Sequence, residues 1–192
     1  MTDKLDTPAL LDVRLSGLVD RYHTWPTHTR QSVGEHSWQV ARIILSIAPG
    51  DYPLLVAALL HDVGELAVGD TPFPAKQASP LLRDLLHNLE DEHTTRLVEK
   101  WMPGVLDIPG LDDRQVVLLK LADIIDMLEF GMHERVLGNN HAAIIIDRCL
   151  DFIEELMEKP ELSELDKNRV TKYLLTRMEL FLAFSGGKLG SK

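Results

Sequence analysis

His61 and Asp62 stand side by side at the end of LLVAALL (residues 54–60), the longest unbroken apolar run in the chain. Glu65 and Asp70 follow at once, in a stretch that also holds Gly64 and Gly69. Histidine and carboxylate side chains are costly to bury without partners. Four such groups beside an apolar helix call for compensation, and a divalent cation supplies it. Taken alone, His61-Asp62 reads equally as a helix C-terminus, where the dipole favours a histidine and the aspartate is solvated. The two further acids weaken that reading. His36 follows Glu35 at the start of another helical stretch. Asp123 lies in LLKLADIIDML, an otherwise apolar helix interior where aspartate has low propensity. Its alternative reading is an ion pair with Lys120 one turn earlier, a pairing that suits Asp126 or Glu129 better. His36, His61, Asp62 and Asp123 come from three helices, at spacings of 25, 1 and 61 residues. Mixed imidazole and carboxylate donors suit Mn²⁺, Fe²⁺, Co²⁺, Ni²⁺ or Zn²⁺ better than Ca²⁺ or an all-thiolate zinc site. Four ligands leave open positions on a six-coordinate ion for water and a phosphoryl oxygen.

The elements that must position these groups are helical almost throughout. Thr7-Pro8 reads as N-cap and first residue of an opening helix, with Leu11, Leu15, Leu18 and Val19 on one stripe. Residues 21–34 have no period and read as a loop. A second helix is expected over about 33–48, ended by Pro49-Gly50. A third, from Pro53 to about His61, is apolar all round and reads as buried. The Gly- and Pro-rich stretch 63–77 reads as irregular, and Ser79-Pro80 restarts a helix that continues to about Trp101. Residues 103–110 read as a linker. Asp112 caps a helix to about Phe130, Gly138-Asn139-Asn140 breaks the chain, and two more helices cover about 141–158 and 162–184. No alternating run is long enough for a strand. The expected fold is all-α, a single-domain helical bundle, with residues 1–185 as the domain and 186–192 as a flexible tail.

Composition bounds the function. The chain has 192 residues, enough to bury a core of its own, and is 45% hydrophobic and 26% charged. Its net charge of −10 disfavours binding to polymeric nucleic acid, which needs a basic stripe. It leaves room for a small phosphorylated ligand, because a metal supplies positive charge locally. The single cysteine, Cys149, excludes an internal disulfide and fits a reducing compartment. No run approaches the length of a membrane span, and the first residues lack a secretory signal. A cytoplasmic protein without a membrane partner is expected. The apolar content of the later helices points to a homo-oligomer.

The segments WPTHTRQSVGEHSWQVA, ALLHDVGELAVGDTPFPAK, LLKLADIIDMLEF and LGNN resemble the HD-domain phosphohydrolases, in particular their 5′-deoxynucleotidase branch. The matches run in order from about residue 25 to 140. Compact size adds a similarity to the phage dATP triphosphohydrolases of that branch, the DatZ-type members. The resemblance implies an all-helical HD-type fold and hydrolysis of deoxynucleoside 5′-phosphates at the α-phosphate. The reaction implied first is dATP to deoxyadenosine and tripolyphosphate; the alternative is a 5′-deoxynucleotidase acting on dNMPs. A reading of another class is a non-catalytic nucleotide-binding helical protein, against which all four ligands, Glu65 and Asp70 are present. The resemblance further implies His36, His61, Asp62 and Asp123 as ligands of Zn, Co or Mn, with Mg on a triphosphate. Glu65 and Asp70 would handle the attacking water and the leaving oxygen, Lys76 would neutralise phosphate, and Trp25 would pack on the deoxyribose and disfavour a 2′-hydroxyl. The branch carries Arg just before Trp-Pro, where this chain has Thr24, so Arg21 or Arg30 would take the phosphate contact. A dimer or hexamer is implied, in the host cytoplasm if phage-encoded.

Overall fold

The computed structural model describes residues 12–108 and 110–184. Thr7, Pro8 and Leu11 of the expected opening helix lie outside these residues, as does the expected tail. The described helices are α1 (Val13–Ser16), α2 (Val33–Ile47), α3 (Tyr52–Leu60), α4 (Phe73–Ala78), α5 (Pro80–Trp101), α6 (Asp113–Val136), α7 (Ala142–Met157) and α8 (Glu164–Phe184). Short 3₁₀ turns cover Val63–Leu66 and Pro103–Asp107. Among the described residues there is no strand, only one isolated antiparallel bridge between Asp20 and Ser32. The chain is therefore all-α. No described helix is long and apolar enough to cross a membrane.

The chain packs as two compact units. The first takes residues up to 26, 30–38 and 56–110; the second takes 27–29, 39–55 and 111 onward. Helix α2 changes unit after Trp38 and α3 after Leu55.

In the first unit, the 3₁₀ turn Val63–Leu66 packs between α1 and α5, and α5 also carries α4 and the turn Pro103–Asp107. Ser79 caps α5, its hydroxyl accepting from the Leu82 N–H at 3.3 Å, with Pro80 at the first position. Gly64 is what lets the turn lie against α5. A Cβ there would overlap the Glu90 carbonyl oxygen and stand 2.6 Å from Thr94 Oγ1. Gly64→Ala must displace helix backbone, so a loss of roughly 1–3 kcal/mol is expected. Equilibrium urea denaturation measures it, and an unchanged midpoint would refute the close approach.

In the second unit, α6 packs on α7 and α8. Asp112 starts α6 with a capping box: its carboxylate accepts from Gln115 N–H at 2.7 Å while the Gln115 side chain accepts from Asp112 N–H at 2.9 Å. The core of this unit includes Ile43, Ile44, Ile47, Leu54, Leu118, Leu121, Ile125 and Leu128. Its buried acids are paired. Glu129 accepts from Arg42 at 2.7 Å, from Tyr173 Oη at 2.6 Å and from Arg177 at 2.9 and 2.8 Å. Asp166 accepts from Arg114 and from the Ser163 hydroxyl.

Two of these acids predict how the fold responds to pH. Arg114 leads the interactions that lower the Asp166 pKa from 3.8 to about 2. Burial opposes the charge on Glu134, but hydrogen bonds from Asn139, Thr29 and the His28 backbone outweigh it and lower its pKa from 4.5 to about 2. A carboxylate whose folded pKa is depressed stabilises the fold above its unfolded pKa and loses that contribution as pH falls through the folded value. Urea midpoints are therefore expected to hold above about pH 5 and to fall progressively toward pH 2. A midpoint constant between about pH 5 and pH 2.5 would contradict both assignments.

Several expectations are corrected. Leu18 and Val19 lie past the end of α1, and Leu18 is exposed. Helix α3 is not buried all round: Leu54 and Ala58 are, while Tyr52 and Leu59 face solvent at 61% and 43% exposure. Its uniform apolarity hid a two-sided environment. The stretch 63–77 is not irregular but holds a 3₁₀ turn and α4. Helix α6 continues past Phe130, through Gly131 to Val136, and the chain turns only at Gly138 (φ +98°).

Candidate active site

Three donor atoms converge in the first unit. His36 lies in the first turns of α2 and is fully buried. His61 continues the backbone bonding of α3, its N–H donating to Ala57 O at 2.9 Å. Asp62 follows directly. His36 Nε2 lies 3.2 Å from His61 Nε2 and 3.3 Å from Asp62 Oδ2, and His61 Nε2 lies 3.4 Å from the same oxygen. Metal–donor bonds of about 2.1 Å separate neighbouring donors by about 3.0 Å in an octahedron and about 3.4 Å in a tetrahedron. The triangle thus has the dimensions of one face of a metal's coordination shell. His61 Nδ1 sits 3.0 Å from Ala58 O, so an N–H on that nitrogen donates to the carbonyl and leaves the Nε2 lone pair for a ligand. Burial opposes ionisation of Asp62, but His61, the His36 hydrogen bond and Arg21 outweigh it and hold the carboxyl well below its ordinary range. It is a carboxylate ready to ligate. The residues present fit a divalent transition metal.

Glu65 stands on the 3₁₀ turn, its N–H donating to Asp62 O at 3.1 Å. Helix α3 ends at Leu60, so no continuing α-helix carries Glu65. The tighter turn places it instead. Its carboxyl is buried, Oε2 has no hydrogen-bond partner, and burial together with Asp62 and Asp70 pushes its pKa up to about 8. A group near that value exchanges protons close to neutral pH.

Arg21 is buried, and its guanidinium donates to Asp62 Oδ2 at 3.0 Å. Arg30 is not brought there: its side chain is 89% exposed and lies 3.6 Å from Asp20. Asp70 Oδ2 accepts from the Tyr22 N–H at 3.2 Å. Tyr22 has φ +56°, a left-handed conformation costly for a non-glycine residue, and the carboxylate helps to hold it. The Tyr22 carbonyl in turn accepts from the Trp25 N–H at 2.9 Å, and Trp25 is half-buried. Lys76 on α4 pairs with Glu90 on α5 at 3.2 Å. In the second unit, Asp123 accepts from Lys120 Nζ at 2.6 Å, so the pairing weighed against a ligand role is present. Sequence reasoning did not single out Tyr22, Glu90 or Glu134. No periodic or motif signal marks them, because each acts on a partner distant in sequence.

The chain belongs to the YfbR-like 5′-deoxynucleotidase family, whose model matches residues 13–172. Its all-helical fold is that of an HD phosphohydrolase. The structure is similar to that of the cyanophage S-2L HD phosphohydrolase DatZ, solved bound to dA and one catalytic Zn²⁺ ion. The TM-score is 0.67 at 17% identity, over 87% of this chain and 95% of that one. No curated protein matches the chain.

Proposed function

We propose that this phosphohydrolase cleaves deoxynucleoside 5′-phosphates at the α-phosphorus, with dATP converted to deoxyadenosine and tripolyphosphate. The observation that carries the reading is the triangle of His36, His61 and Asp62 donors beside a buried, proton-exchanging Glu65. The dA-bound phage neighbour supports adenine as the base. The family model favours a second reading on the same centre, a 5′-deoxynucleotidase acting on dNMPs. Membership of an enzyme family with these residues intact leaves a non-catalytic role without support.

His36, His61 and Asp62 would hold Zn, Co or Mn, with Asp123 as the fourth ligand on the strength of the sequence resemblance and Mg carried on a triphosphate. When bound, the ion supplies Lewis-acid stabilisation of the phosphoryl oxygens and lowers the pKa of water. Glu65 takes the proton from the attacking water and returns it to the departing 5′-oxygen. The new P–O bond forms as the bond to that oxygen breaks. Arg21 and Lys76 neutralise phosphate, and each must exchange its present carboxylate partner, Asp62 or Glu90, for the substrate. Arg30, out in solvent, is the weaker phosphate contact. Asp70 handles the leaving oxygen and fixes the turn at Tyr22 that leads to Trp25. The protein works in the cytoplasm, the host's if phage-encoded, as a dimer or hexamer. Leu165, Leu175 and Met178, exposed on α8, support an oligomer that light scattering would measure.

A panel of dNTPs and dNMPs followed by phosphorus NMR tests the function. Tripolyphosphate from dATP supports the first reading, orthophosphate from dNMPs alone the second, and neither product would refute both. Trp25 is proposed to fill the space of a 2′-hydroxyl, which an indole rejects by overlap and by denying it a hydrogen-bond partner. Trp25→Ala is expected to narrow the kcat/KM gap between dATP and ATP by roughly tenfold, chiefly by admitting ATP, while weakening dATP binding. An unchanged ratio would make Trp25 a packing residue only.

A further inference from the structure

Two residues shortly after Trp25-Pro26, His28 and Thr29, are tied down by a carboxylate more than a hundred positions away. Glu134 Oε2 accepts from the His28 N–H at 2.7 Å, and Oε1 accepts from the Thr29 N–H at 2.8 Å and from Thr29 Oγ1 at 2.6 Å. A further bond to Oε2 comes from Asn139 Nδ2 at 2.8 Å. Asn139 is itself oriented, because its Oδ1 accepts from the His141 N–H at 3.1 Å and its N–H donates to Glu134 O at 2.9 Å. Glu134 and Asn139 are buried, whereas His28 and Pro26 are exposed. The clamped segment therefore does not owe its position to apolar side chains of its own. It has no helix or strand bonding either. What fixes it is a pair of charge-assisted bonds to consecutive backbone N–H groups, which set the orientation of the peptide plane between them.

We propose that Glu134 is a specificity-positioning residue: by fixing residues 27–29 it sets, through the short covalent link to Trp25-Pro26, how firmly the site grips the deoxynucleoside. This rests on the substrate reading above. Asn139 orients the carboxylate, and Thr29 is the contact whose side-chain bond can be removed separately.

The test is steady-state kinetics with dATP, dAMP and ATP on wild type, Glu134→Gln, Thr29→Val and Thr29→Ser, with melting temperatures alongside. Glu134→Gln sets an amide N–H against a backbone N–H. It is expected to raise KM for the deoxynucleotide roughly tenfold and to narrow deoxy-over-ribo discrimination, with kcat falling less than about threefold. Thr29→Val is expected to raise KM about threefold, and Thr29→Ser to restore it. If Glu134→Gln does not fold, the Thr29 pair decides. Lower melting temperatures with unchanged KM and discrimination would overturn the proposal and leave Glu134 a stabilising residue only. Failure of wild type to turn over any deoxynucleotide would instead overturn the substrate reading, and the proposal with it.

Discussion

Asp62→Asn is expected to abolish deoxynucleotide hydrolysis and to empty the metal site, with the helical circular-dichroism signal retained. Asp62 Oδ2 lies 3.3 and 3.4 Å from the two imidazole nitrogens, and an amide oxygen is a far weaker donor to a divalent transition ion. The same change removes the carboxylate 3.0 Å from the buried Arg21, so the melting temperature should fall as well. Chelation by EDTA makes the complementary case. It should stop turnover and lower the melting temperature, because an ion bound only by the folded chain at about 100 times its Kd contributes about 2.7 kcal/mol. Asp123→Asn, on the proposal that Asp123 is the fourth ligand, should lose metal and turnover in the same way. Elemental analysis decides. A full metal complement with full turnover in Asp62→Asn would end the ligand assignment, and the same result in Asp123→Asn would remove Asp123 from the ligand set and leave its ion pair with Lys120.

Glu65→Ala is expected to lower kcat by roughly 10²–10⁴, the contribution of a positioned acid–base group. Metal content should not change, because in the proposed mechanism Glu65 acts on protons and not as a donor to the ion. Stability should hold or rise, since a buried carboxyl oxygen without a hydrogen-bond partner is removed. Loss of metal in this variant would make Glu65 a ligand, and wild-type turnover would remove it from the chemistry. The effect lies well above that expected for Trp25→Ala, which changes the fit of the sugar without touching the proton path.

The helices with local start signals were legible in the sequence. Ser79-Pro80 and Asp112 each cap a helix in the expected place, because capping is a contact over three residues. Helix α3 misled because apolar composition says how a helix can be buried, not which side another element covers. Glu65 was singled out by residue type, but the 3₁₀ turn that carries it was not legible: a 3₁₀ turn and irregular chain differ by a few backbone hydrogen bonds, which residue types here do not decide. The His36, His61 and Asp62 set was legible through residue type and resemblance, yet its convergence within 3.2–3.4 Å is a tertiary fact. Arg21 and Arg30 looked interchangeable, because charge carries no information about burial. Glu134 was invisible, since an acid near a helix end reads as solvated until its four donors are found.

The order of the proposed ligands along the chain has a consequence for how an ion would be taken up. A ribosome delivers His36, His61 and Asp62, with Glu65 and Asp70, well before α6 and Asp123. The loop joining His36 to His61 is short, whereas the one from Asp62 to Asp123 is more than twice as long, a difference of about 0.8 kcal/mol in closure entropy. The first unit ends at Gly110, so three donors belong to a portion of the chain that is complete while the rest is still being made. On the proposed ligand set, loading would begin on the nascent chain, and the cation would act as an early fastener of the N-terminal half as well as a reagent in the finished protein.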